Sequence, residues 1–89
     1  MLFATGQIVM TPGAHEALLS ENLDPTMLLA RHMAGDWGDN LCAEDSEAND
    51  VALADGDRLL SSYKVGTGTV WVITEWNRSA TTLLLPSEY

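Results

Sequence analysis

Apolar positions along the chain follow a helical rhythm in the first two thirds and a strand rhythm in the last third. Residues 3–10 open the chain as a first strand, with β-branched Ile8 and Val9 and a stop at Thr11-Pro12-Gly13. Thr11 is a ready N-cap and Pro12 a first helical residue, which predicts a short helix through Ser20 with Ala17 and Leu18 turned to the core. Asp24-Pro25 repeats that start. It predicts a second helix with Leu28, Leu29, His32 and Met33 on one stripe and Gly35 as its stop. After a polar loop at 36–40, residues 44–54 predict a third helix. Ala48, Val51, Ala52 and Asp55 share one side, Glu44, Glu47 and Asp50 lean outward, and Gly56 ends it.

The period then changes. Residues 58–65, 69–76 and 80–85 are three strand-like runs, joined at Gly66-Thr67-Gly68 and at Trp76-Asn77-Arg78-Ser79. The middle run is partly apolar on both faces, as a central strand is. Trp71 and Trp76, five apart, are expected on opposite faces, one in the core and one at the surface. The pattern predicts a single α+β domain over residues 1–89, ordered β-α-α-α-β-β-β. Its helices are expected to pack on a small antiparallel sheet. No linker or internal repeat divides the chain.

Composition narrows the functional classes. Thirteen Asp and Glu face four Lys and Arg, for a formal charge of −9. That excess would repel phosphates, so direct binding to nucleic acid or to an anionic membrane is not expected. A 46% apolar fraction is too high for a disordered acidic tail. One Cys excludes a disulfide framework or a cysteine zinc site and fits a reducing compartment. With no basic, apolar leader and no run approaching the length of a bilayer span, the expectation is a cytoplasmic protein.

Candidate chemistry is sparse. No phosphate-binding loop, dinucleotide fingerprint or nucleophile elbow occurs. Cys42 with His15 or His32 as base is one formal nucleophile pair, but a small half-buried Cys and a satisfied core histidine explain these residues better. Read as a calcium loop from Asp36, the segment supplies Asp36, Asn40 and Glu47 at suitable positions but fails at Gly38 and Leu41. We therefore expect no metal, no cofactor and no enzymatic activity.

The charge itself is uneven. Asp36, Asp39, Glu44, Asp45, Glu47, Asp50, Asp55 and Asp57 fall within 36–57, and no base lies between His32 and Arg58. A solvated, solubilising face would account for such a run. Its functional reading is electrostatic mimicry of nucleic acid. Carboxylates at helical spacing stand roughly 5–6 Å apart, close enough to occupy a phosphate-binding cleft. Trp37, set among glycines and aspartates, either closes the core beneath the loop, which the pattern favours, or anchors a partner. These eight acids and Trp37 are the expected partner-binding residues.

Several stretches resemble a family of small bacterial proteins encoded on plasmids and integrative elements. They are Ala4-Thr5-Gly6 to Thr11-Pro12-Gly13-Ala14, Leu29-Ala30-Arg31-His32, and Gly35-Asp36-Trp37-Gly38-Asp39. Ala48-Asn49-Asp50, Gly56 to Tyr63, and Val70-Trp71-Val72-Ile73-Thr74-Glu75 to Pro86-Ser87-Glu88-Tyr89 complete the set. Members carry labels such as plasmid-related protein or restriction–modification subunit. The second label does not suit a chain this short without a cofactor-binding glycine motif. The resemblance implies a setting on mobile DNA. By analogy with anti-CRISPR and anti-restriction inhibitors, it implies as partner a basic nucleic-acid-binding protein, such as a CRISPR effector or restriction complex subunit. The alternative is an accessory interaction module or homodimer that uses the sheet face of Trp71 or Trp76.

Overall fold

The computed structural model describes residues 3–38 and 43–89, with the backbone alone for 43–46. Thr11 caps the first helix as its sequence predicts: its hydroxyl accepts the Ala14 N–H at 3.2 Å, and the helix (α1) runs Pro12–Ser20. Asp24 does the same for α2, Pro25–Met33, accepting the Thr26 N–H at 3.0 Å. The third helix, α3, spans Ala43–Asp55. The strands are β1 (Gln7–Met10), β2 (Leu59–Val65), β3 (Gly68–Thr74) and β4 (Ala80–Leu84), with a short 3₁₀ turn at Pro86–Glu88. None of the described helices is long and apolar enough to cross a membrane.

The element order matches the sequence pattern, but the sheet is mixed. Its strand order is β1-β4-β3-β2. β2–β3 and β3–β4 are antiparallel, whereas β1 lies parallel to β4, with Gln7 opposite Ala80 and Met10 opposite Leu83. The expectation of an antiparallel sheet fails at β1 for a topological reason. Two hairpins fix the direction of the last three strands, but β1 reaches them only through three helices, and so long a crossover admits a parallel neighbour. The first strand is also shorter than expected. Residues 3–6 cross the end of the sheet instead, where the Thr81 hydroxyl donates to the Thr5 carbonyl at 2.8 Å.

One face of the sheet holds the core. Tyr63, Val65, Val70, Val72 and Leu83 meet Ala14 and Leu18 of α1 and Leu28 of α2, with Met10 and Ala17 packed at the margin. A second cluster of Trp37, Ala52 and Leu59, bordered by Phe3 and Leu53, lies under α3. Burial of these side chains supplies the main drive for folding, at about 1.5–3 kcal/mol for each large one. On the opposite face, Trp71 sits edge-on to Tyr89, at 5.8 Å between ring centroids. Trp76 is not on the strand at all. It lies past the end of β3 and is 65% exposed, so the two tryptophans do not mark two faces of one strand.

Candidate functional site

The acidic segment is built around the outer edge of β2. This is an edge strand, so Leu60 and Ser62 direct backbone groups away from β3 and need other partners. Asn49 of α3 supplies one pair. Its side-chain Nδ2 donates to the Leu60 carbonyl, and its Oδ1 accepts the Leu60 N–H at 2.9 Å, as a neighbouring strand would. The loop after α2 supplies another, with the Ser62 N–H donating to the Trp37 carbonyl at 2.9 Å. Gly38 makes this approach feasible. Its φ is +100°, and a Cβ there would fall 1.9 Å from the Ser62 carbonyl oxygen.

This clamp sets the rotation of α3 and corrects the predicted core face. Asn49 and Ala52 are buried and Leu53 is half-buried, whereas Ala48 and Val51 face solvent. A polar side chain, invisible to an apolar count, chooses the inward face.

Behind the clamp lies a buried polar chain. His32 is fully buried, with Nδ1 2.5 Å from the Ser61 Oγ and Nε2 2.9 Å from the Thr74 Oγ1. Thr74 and Thr81 hydroxyls are 2.7 Å apart, and Thr81 donates to the Thr5 carbonyl. The carbonyl has no proton to give, so it orders the chain as far as the ring. Thr81 must accept from Thr74, and Thr74 from the Nε2–H of His32, whereas the Ser61 hydroxyl is able to donate to Nδ1 or accept from it. The chain thus fixes a proton on Nε2. Burial, with a smaller effect from Arg78, lowers the His32 pKa from 6.5 to about 4, which keeps Nδ1 bare, accepting from Ser61, near neutral pH. Ser61 and His32 have the spacing of a nucleophile and its base. Both are fully buried, however, and the Ser61 hydroxyl points into the ring nitrogen.

His32 also shapes the aromatic floor under the loop. Its ring stands edge-on to Phe3 at 5.1 Å and to Trp37 at 5.6 Å. Trp37 is 5% exposed, and its Nε1–H donates to the Asp50 carboxylate at 3.1 Å. The ring closes the core beneath the loop, the placement the sequence pattern favours, and its carboxylate partner Asp50 is exposed.

The expected acids separate into groups. Asp36 forms an ion pair with Arg31, at 2.7 Å from Nε and 3.3 Å from Nη2. That hydrogen bond holds its carboxyl below the usual range, so Asp36 is not an uncompensated charge. Glu47, Asp50, Asp55 and Asp57 are exposed and stand in no ion pair among the described residues. Glu47, Asp50 and Asp55 share one helix over roughly 12 Å of its axis, and Asp57 follows at its exit. The Asp57 backbone is itself held, its carbonyl accepting from Arg78 at 2.6 Å. Asp39 lies outside the described residues, and for Glu44 and Asp45 the backbone places both in the first turns of α3. Among the described residues no group of His, Cys, Asp and Glu is placed to hold a metal ion.

Asn49, Ser61, Thr74 and Thr81 escaped the sequence reading. The available signal was polar residues in otherwise apolar strands, facing a histidine on an apolar helical stripe. No family model matches the chain, and no curated protein or solved structure shows significant similarity to it.

Proposed function

We propose that the chain is a non-enzymatic inhibitor. In this reading it presents the carboxylates of α3 and its exit to the basic cleft of a nucleic-acid-binding host defence complex, of the CRISPR or restriction type. The supporting observation is the fixed, one-sided display of charge. Asn49 and Trp37 tie α3 to the sheet edge, while Glu47, Asp50, Asp55 and Asp57 stay exposed and unpaired among the described residues. A helix ordered before binding loses less entropy on association than a flexible acidic tail, and its charge steers encounter with a basic cleft.

The test is competition with duplex DNA for an isolated DNA-recognition complex. The parent protein is expected to displace DNA, and to do so less well as salt rises. A Glu47→Lys, Asp55→Lys, Asp57→Lys variant keeps Asp50 on the Trp37 indole and is expected to lose at least about tenfold in affinity. Unchanged displacement by that folded variant would refute mimicry.

A further inference from the structure

The two edges of the sheet are treated differently. The β2 edge is closed by Asn49 and the Trp37 carbonyl, whereas among the described residues no strand lies beyond β1 at the other edge. The N–H groups of Gln7 and Thr11 donate inward, to Ser79 and Leu83 at 3.0 Å. Strand alternation therefore turns the backbone groups of Ile8 and Met10 outward. Apart from its shortness, four residues, β1 carries none of the usual protections of an edge: it has no Lys, no Pro and no bulge, and its pairing with β4 is continuous. Ile8 is 46% and Val9 41% exposed.

We propose that the outer edge of β1 pairs antiparallel with β1 of a second copy of this chain, with Val9 on the two-fold axis, to give one continuous sheet. Charge selects the occupant. In a chain of net charge −9, residues 3–15 contain no Asp, Glu, Lys or Arg, and the Glu88 carboxylate that bonds Thr11 and Gly13 lies past the end of the strand, so two copies that repel one another elsewhere meet along Gln7–Met10 at least cost. Register supports it as well. Centring on Val9 sets Ile8 opposite Met10 in both directions, so each pair exchanges two hydrogen bonds and every outward group of the strand is used. Centring on Ile8 would draw in Gly6, whose φ of +64° leaves strand geometry. Centring on Met10 would draw in Pro12, which has no N–H.

Sedimentation equilibrium over about 5–500 µM, in about 50 and 500 mM salt, tests the proposal. The mass is expected to rise from 9.6 kDa towards twice that value, and at lower concentration in the higher salt, because screening weakens the repulsion. That salt dependence is opposite in sign to the one expected for a basic partner, and the two proposals fail independently. Ile8→Pro removes an outward donor and leaves the hydrogen bonds to β4 in place, and Val9→Glu sets two carboxylates face to face. Each variant is expected to stay at 9.6 kDa. Where Ile8→Pro does not fold, Val9→Glu carries the test. In a Cys42→Ser background, Val9→Cys is expected to crosslink on mild oxidation, since the axial pair brings Cα atoms to about 4.5 Å. Gln7→Cys is not. A constant mass in both salts, association that survives Val9→Glu, or crosslinking at 7 as readily as at 9 would overturn it.

Discussion

His32 is where the least replaceable chemistry of the core sits. Its neutral ring accepts a hydrogen bond from Ser61 on one side and donates one to Thr74 on the other, so protonating Nδ1 would bury a charge and force the Ser61 hydroxyl to turn its proton away. No carboxylate is bonded to the ring: Ser61, Thr74, Phe3 and Trp37 surround it, and Arg78 acts on it with the same sign of charge. The folded state lowers the pKa of this base from 6.5 to about 4, so the stability it contributes is complete above pH 6.5 and drains away as pH falls towards 4. The shift corresponds to about 3 kcal/mol. Ring NMR signals of His32 are expected to stay in the neutral, Nε2-protonated form down to pH 5, and the urea midpoint to fall between pH 6.5 and 4. A ring that titrates near 6.5 in the folded protein would remove this account.

Among the elements, α3 depends most on a single residue. Its inward face offers Ala52 and part of Leu53 to the core, which is little apolar area for a thirteen-residue helix. The Asn49 amide, with its two bonds to Leu60, and the Trp37–Asp50 bond add to that attachment. Asn49→Ala leaves a backbone donor and acceptor of Leu60 without their partners and is expected to cost about 2 kcal/mol. Hydrogen exchange should then accelerate throughout α3 and at Leu60 while β3 and β4 keep their protection. Equal acceleration in β3 would show that the clamp serves the whole core instead. The same residue marks the limit of what the sequence discloses. Caps such as Thr11 and Asp24 act within one turn, so helix starts can be read locally. Asn49 acts on a strand eleven residues away, and no local pattern announces its partner. The parallel pairing of β1 escaped for the same reason, since Gln7 and Ala80 meet only after the whole chain is arranged. Trp37 lies between these cases: its burial matches the favoured reading, but its bond to Asp50 could not be anticipated.

For the whole molecule, uneven charge is a cost to the fold as well as a surface for a partner. Glu47, Asp50, Asp55 and Asp57 lie on α3 and at its exit without an ion pair among the described residues, while Asp36 and Glu88 are held by hydrogen bonds that lower their pKa values. Screening should therefore stabilise the protein. Stability is expected to rise by an amount on the order of 1 kcal/mol between about 20 mM and 0.5 M salt, which lifts the thermal midpoint by about 4–8 °C, and the Glu47→Lys, Asp55→Lys, Asp57→Lys variant should show a much smaller rise. An equal rise in both would mean that salt acts through apolar burial rather than charge. The excess of acids in 36–57 was plain in the sequence. That Asp36 is neutralised by Arg31 was not, because the pairing depends on how the chain turns at the end of α2.

The parallel pairing of β1 with β4 also bears on synthesis. Residues 7–10 leave the ribosome well before the strand they pair with, which is made 73 residues later. At roughly 5–20 residues per second, β1 therefore waits about 4–15 s for its neighbour. The two hairpins of β2, β3 and β4 form between sequence neighbours and can assemble as soon as they emerge. Of the four strands the earliest made is thus the last to be placed, and the sheet is completed only after translation has passed residue 84.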